Sequence, residues 1–306
     1  MMRTGLGTPI SAWQRLRSAS WARSPGFLSS LPLGSVLGPM PIGGRIGNLE
    51  VRLAETPGEL RKAQALRYQV FYREMDAVAD ARTRFLRRDE DRFDRICDHL
   101  LVLDHQSLDR RKQPRIVGTY RVLRQEVADA HGGFYSASEY DIEPLLRLHS
   151  HQKFLELGRS CVLPDYRTTR TVELLWHGVW SYVLAHQIDV LFGCASFAGT
   201  EPDDNAVALS FLHHHAAAPP QWTVKAVPGR HIDMNRLPMD KVPMKTALRN
   251  LPPLIKGYLR VGAKIGEGAV LDHQFGTTDI LIILPVPEID ERYIRHYGAD
   301  AARYAV

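Results

Sequence analysis

Cysteine is scarce: Cys97, Cys161 and Cys194 are the only three, an odd number without CxxC spacing, all in apolar stretches. This excludes a disulfide framework and a structural zinc site, and it implies a reducing compartment. Long hydrophobic runs are missing as well. Residues 280–286 form one of the longest, far below the ~20 residues of a membrane-spanning helix, so any membrane contact is expected to be peripheral. Acidic residues are absent from the first 49 positions, which carry Arg3, Arg15, Arg17, Arg23 and Arg45. The rest of the chain is balanced, with 34 basic and 34 acidic residues. The basic isoelectric point is therefore a property of the tail and gives no reason to expect a nucleic-acid partner. No internal repeat or heptad is present.

At 306 residues, 44% hydrophobic and 24% charged, the chain can bury a substantial core and reads as a globular enzyme. Residues 1–47 mix Arg, Ser, Gly and Pro with Trp13, Trp21 and Phe27, and are read as a flexible basic extension. Pro25-Gly26 interrupts any apolar segment of a secretion signal. Basic and aromatic residues together suit an anionic membrane surface; a disordered leader is the alternative. The expected location is the cytoplasm, with peripheral contact at the inner membrane surface.

Ordered structure is expected from residue 48, in a single domain spanning residues 48–306. Residues 49–54 read as a strand, and Thr56-Pro57-Gly58-Glu59 as a capping box with proline at the first helical position. The helix that follows, to about residue 74, buries Leu60, Ala63, Leu66, Val70 and Phe71, with Arg67 falling outside that face. Residues 80–98 look irregular. Residues 99–104 and 115–124 read as an antiparallel hairpin. A strand over 154–163, a helix with Val172, Leu175, Trp176, Val179, Trp180, Val183 and Leu184 at helical spacing, and an apolar run over 188–195 make a parallel βαβ unit. A helix over 254–264 and a strand over 279–284 follow. The fold class is mixed α/β, with hairpin strands beside that parallel pair.

The strand over 154–163 carries Glu156 and Arg159. A buried glutamate is costly unless it is paired with an arginine or kept for proton transfer, and both readings stand. Alternation puts Glu156 and Arg159 on opposite faces, unless a bulge near Gly158 brings both to one cavity.

Val162-Leu163-Pro164-Asp165-Tyr166-Arg167 resembles the central strand and pyrophosphate-loop entrance of GNAT acyltransferases. Those enzymes usually continue with glycines, whereas this chain has Thr168-Thr169-Arg170-Thr171-Val172. The departure favours a phosphopantetheine arm carried on a protein over free coenzyme A. Four ordered segments are similar to the acyl-homoserine-lactone synthases: residues 66–71, the pair Asp94 and Asp98, residues 118–121 ending in Arg121, and residues 156–159. Their tryptophan after the first helix is absent here. The broadest likeness, over most of residues 49–297, is to bacterial ornithine N-acyltransferases. It rests on residues 98–102, 156–167, 193–197 (with Ser196 and Phe197) and 251–260, together with Phe275 and Asp279.

That resemblance implies a GNAT-like, mostly antiparallel central sheet with flanking helices. It also implies transfer of a 3-hydroxyacyl group from acyl carrier protein to the α-amine of L-ornithine, giving lyso-ornithine lipid. No permanently bound cofactor and no metal are implied. Glu156 is the base, since an amino-acid amine is largely protonated near neutral pH, and Arg159 and Ser160 complete the catalytic set. Substrate-binding candidates are Arg67, Asp94, Asp98, Arg121, Ser196 and Phe197; structural ion pairing is the alternative for Arg67, Asp94, Asp98 and Arg121. Val162, Arg167, Thr168, Thr169 and Arg170 are candidates for the phosphopantetheine. Arg82, Arg84, Arg87, Arg88, Arg92 and Arg95 form either a docking strip for the acidic carrier or a solvated surface. His213-His214-His215 reads as surface, because consecutive helical residues point in different directions. The alternative reading is a coenzyme-A-dependent acetyltransferase of a small amine or peptide.

Overall fold

The computed structural model describes residues 42–290 and Tyr293. In chain order the strands are β1 (Gly43–Ile46), β2 (Leu49–Leu53), β3 (Asp98–Leu108), β4 (Pro114–Arg124), β5 (Tyr140–Asp141), β6 (Phe154–Val162), β7 (Val190–Ala198), β8 (Lys225–Ala226), β9 (Lys264–Asp272) and β10 (Thr277–Pro285). The helices are α1 (Pro57–Arg73), α2 (Ala81–Leu86), α3 (Gln125–Ala130), α4 (Glu143–Leu148), α5 (Thr169–His186), α6 (Ala206–His215), α7 (Met244–Asn250) and α8 (Pro253–Arg260). The sheet runs β1-β2-β3-β4-β6-β7-β10-β9-β8-β5. Pairing is antiparallel except for β6 with β7 and β8 with β9. This is the mixed, mostly antiparallel sheet with a βαβ unit that the sequence implies.

Local chemistry explains the main elements. Thr56 caps α1 by accepting the Glu59 N–H at 3.2 Å, and Thr168 caps α5 by accepting the Thr171 N–H at 3.3 Å. Apolar residues are buried on both faces of the sheet. Leu155, Leu157 and Cys161 of β6 join the core beneath α1 and α5, whereas Phe154 packs with Phe134, Phe192 and Trp222 in a second cluster. Glu156 therefore starts on the Phe154 face.

Three expectations are corrected. β1 falls inside the segment read as an extension and pairs with β2 through Gly43↔Arg52 to Ile46↔Leu49, so the fold begins by residue 43. Residues 1–41 lie outside the described residues. The stretch 80–98 is not irregular: Asp80 caps α2 through the Thr83 N–H, and Asp91 caps a 3-10 turn at Arg92–Arg95. The helix expected over 254–264 ends at Arg260, where Gly262 at φ +98° turns the chain into β9. No helix among the described residues is long and apolar enough to cross a membrane.

Candidate active site

β6 and β7 pair at only three positions, Phe154↔Val190, Leu155↔Leu191 and Glu156↔Phe192. The strands are also tightly apposed at Gly193, where a Cβ would lie 2.2 Å from the Leu157 carbonyl oxygen. Past this point the strands part. A cavity of about 620 Å³ has residues 156–162 of β6 and 194–196 of β7 in its wall, with Trp176 from α5 and Phe275 also lining it.

The bulge lies within this run. Thr119 and Arg121 on β4 pair with Cys161 and Gly158, so β6 carries one residue more than its partner. Arg159 absorbs the extra residue in the left-handed region, at φ +50°. Its guanidinium thereby reaches the Glu156 face and sits 4.8 Å from the centroid of the Tyr135 ring and 4.6 Å from that of Phe275. Both Glu156 and Arg159 line the cavity.

Glu156 is buried, and among the described residues no arginine forms an ion pair with it. Its carboxylate accepts the Tyr135 N–H at 2.9 Å, the Ser136 N–H at 2.7 Å and the Ser136 hydroxyl at 2.5 Å. Burial raises its pKa, and the bonds from Ser136 and Tyr135 oppose the rise. The result is a positioned carboxylate that takes up a proton more readily than an exposed one.

Three arginines and three aspartates form a buried ionic cluster beside the cavity. Arg67, fully buried, pairs with Asp89 at 2.8 Å and Asp94 at 2.6 Å. Arg121 pairs with Asp91 at 2.7 Å and Asp94 at 3.1 Å. Arg159 makes looser contacts, 3.3 Å from its Nε to Asp89 and 3.4 Å from a terminal nitrogen to Asp91. Although burial opposes it, Arg67 followed by Arg121 holds the Asp94 carboxyl well below the ordinary range. Of the three arginines, Arg159 combines a place in the cavity wall with the longest ion-pair contacts.

The other expected residues divide. Arg121, Ser160, Ser196, Val162 and Arg167 line the cavity. Ser160 lies against the Tyr120 hydroxyl, which itself bonds the Tyr258 hydroxyl. Arg167 donates to the Val162 carbonyl and to both Glu74 oxygens. Thr168, Thr169 and Arg170 form the entry to α5, just beyond the cavity wall. Corrections apply to four residues. Arg67, outside the buried face in the sequence reading, and Asp94 serve the ionic cluster instead of the cavity wall. Asp98 accepts the Tyr182 hydroxyl at 2.5 Å and lies 4.0 Å from Arg124, outside the cavity lining. Phe197, 1% exposed, is core, because alternation turns it away from its neighbour Ser196. His213, His214 and His215 do not converge on one point; His214 bonds the Leu237 carbonyl.

Sequence reasoning missed Tyr135 and Ser136, which orient Glu156, and Asp89 and Asp91, which pair with the arginines. It also gave no role to Glu139 and Asp272 and none beyond family likeness to Asp279. The one available signal was Asp279, a carboxylate opening an apolar strand.

The sequence profile described as "Acetyltransferase (GNAT) domain" matches residues 66–177. The chain is 54% identical over 262 residues to the L-ornithine N(alpha)-acyltransferase of Rhizobium meliloti (strain 1021), covering 86% of this chain and 88% of the relative. It is 52% identical over 260 residues to the protein of the same name from Agrobacterium fabrum (strain C58 / ATCC 33970), covering 85% of this chain and 88% of that one. Among solved structures, an N-acyl amino acid synthase from uncultured soil microbes aligns over 78% of this chain and 92% of its own, with 13% identity and a TM-score of 0.43.

Proposed function

The chain belongs to the L-ornithine N(alpha)-acyltransferase family, and from that premise we propose that it moves a 3-hydroxyacyl group from the phosphopantetheine thioester of acyl carrier protein to the α-amine of L-ornithine. The product is lyso-ornithine lipid, the first intermediate of ornithine-lipid synthesis. The observation that carries the reading is Glu156: a buried carboxylate with a raised pKa, fixed by three hydrogen bonds, in the wall of the cavity that opens between β6 and β7.

In the proposed reaction Glu156, directly or through one water, takes a proton from the α-ammonium. The freed nitrogen lone pair attacks the thioester carbonyl. Backbone N–H groups at the bulge around Arg159 stabilise the oxyanion that forms. Collapse breaks the C–S bond; the Ser160 hydroxyl, backed by Tyr120 and Tyr258, delivers its proton to the departing thiolate and takes in return the second proton of the attacking nitrogen, which leaves a neutral amide and thiol. Arg159, whose contacts to Asp89 and Asp91 are long, takes the acceptor's α-carboxylate, assisted by Arg121; Ser196 lines the same cavity from β7. The donor arm runs past Val162 toward Arg167 and the α5 entrance at Thr168, Thr169 and Arg170. No resident cofactor or metal is needed for these steps.

The α5 entrance supports a carrier-bound donor. The Thr168 side chain already takes the Thr171 N–H, and Arg167 is held by Glu74 at 2.8 Å through its second terminal nitrogen. A helix terminus committed in this way offers little to a pyrophosphate but enough to a single phosphodiester. The product's acyl chain adds ~0.8 kcal/mol of membrane affinity per buried methylene, which suits a cytoplasmic enzyme working at the inner membrane surface.

The test is a donor comparison on the purified chain with L-ornithine, with 3-hydroxyacyl carrier protein in one arm and the matching coenzyme A thioester in the other. Amide formation with the carrier at a kcat/KM at least tenfold above the coenzyme A arm is the expected result. Turnover with coenzyme A thioesters alone overturns the carrier assignment and favours a coenzyme-A-dependent enzyme.

A further inference from the structure

Three carboxylates that no step above uses stand together in the fold: Glu139 just before β5, Asp272 at the end of β9 and Asp279 in β10. One oxygen from each lies within 4.8 Å of the others. Their exposures are 2%, 8% and 7%, and Asp272 and Asp279 line the same cavity as Glu156. Like charges this close repel. Burial and then Asp279 push the Glu139 carboxyl up to about 7, and burial raises Asp279 as well.

Resident cations do not balance the group. Arg230 reaches Glu139 at 3.5 Å with a side chain 37% exposed, and it also donates to the Ser138 and Leu271 carbonyls. Arg159 attracts Asp279 only weakly and is committed to Asp89 and Asp91. The buried Asp279 Oδ1 has no hydrogen-bond partner. The Ser196 and Thr277 hydroxyls lie close enough to hold its pKa down somewhat, yet neither completes a bond to that oxygen. An orphaned acceptor with excess negative charge on a cavity wall calls for a small cationic donor.

We propose that Glu139, Asp272 and Asp279 bind the side-chain ammonium of the acceptor diamino acid, and so select a substrate with a terminal amine. This rests on the acyltransferase reading above and deepens it. An ammonium with acceptors at ~2.8 Å spreads three of them to within ~4.6 Å of one another, which fits the cluster. The distance to the base also suits a short spacer: Cys194 Sγ lies 3.2 Å from Glu139 Oε2 and 3.7 Å from Ser136 Oγ, the hydroxyl that donates to Glu156. The acidic group and the base are thus neighbours, linked through one cysteine side chain and one serine hydroxyl. Arg159 at the α-carboxylate and the acidic group at the far amine hold the α-nitrogen beside Glu156.

The experiment measures kcat/KM for L-ornithine and for L-norvaline, the same carbon skeleton without the terminal amine, in the wild type, Asp279→Asn and Asp272→Asn. The wild type should prefer ornithine by about 100-fold or more. Each variant should reduce that preference at least ~10-fold through a higher KM for ornithine. The second variant stands in if the first fails to fold, as judged by its melting transition. Folded variants that keep the wild-type preference overturn the proposal, as does wild type that uses both amino acids equally. Ornithine turnover abolished by EDTA and restored by Mg²⁺ or Mn²⁺ in the wild type alone reassigns the cluster to a metal. Acylation of other amines with none of ornithine removes the parent reading as well, so the two failures are told apart.

Discussion

Replacing Glu156 by glutamine lowers kcat by roughly 10²–10⁴-fold while the protein stays folded. Glutamine keeps one oxygen to accept from Ser136 and loses an acceptor for the Tyr135 N–H, at a cost of about 1 kcal/mol. Against that, the folded-state pKa of Glu156 is raised. Its stabilising contribution is therefore complete below the unfolded glutamate pKa, ~4.3, and is lost as pH rises through the folded value. Glutamine is neutral at every pH and escapes that loss, so the two effects offset near neutral pH. The pH profile is the discriminating readout. Wild-type kcat/KM rises along an acidic limb set by Glu156, shifted above the ordinary glutamate range, and the variant lacks that limb. A folded E156Q protein with wild-type turnover removes Glu156 from the chemistry.

Asp94→Ala lowers the unfolding free energy by roughly 3–5 kcal/mol, the cost of leaving a buried charge unmatched. Asp94 accepts from Arg67 at 2.9 and 2.6 Å, from Arg121 at 3.1 Å and from Gln64 at 3.0 Å. Asp89 and Asp91 remain, but three arginines then face two aspartates in a region where Arg67 has no solvent contact. The depressed Asp94 pKa gives the sign of the acid response. This contribution is present above the unfolded aspartate pKa, ~3.9, and fades as pH falls through the much lower folded value. Urea titrations of both proteins should show a gap that is full at pH 7 and narrows below about pH 4. Equal midpoints at pH 7 would show that the cluster relaxes without Asp94.

The central strand was legible because an acidic and a basic residue in an apolar strand ask for a reason, and the alternation rule made a bulge the condition for joining them. The structure meets that condition at Arg159. Long-range pairing was not legible. Arg67 carries a surface-like residue type at a position that α1 turns inward onto Asp89 and Asp94, whose partnership depends on a 3-10 turn capped by Asp91. Asp98 and His99 are neighbours on β3, yet one faces Tyr182 and the other the Asp94 carbonyl; sequence order cannot give that parity without the exact strand start. The acidic group escaped notice because Glu139 is far in sequence from the β9–β10 hairpin that carries Asp272 and Asp279, and only the tertiary fold brings it beside them.

The account turns on which nitrogen is acylated. Purified full-length chain is incubated with 3-hydroxyacyl carrier protein and L-ornithine labelled with ¹⁵N at the α-position, and the product is fragmented by tandem mass spectrometry. With the α-nitrogen beside Glu156 and the far amine held by the acidic group, the acyl chain is predicted on the labelled nitrogen. Acyl on the unlabelled δ-nitrogen, or no ornithine amide at all, would contradict it.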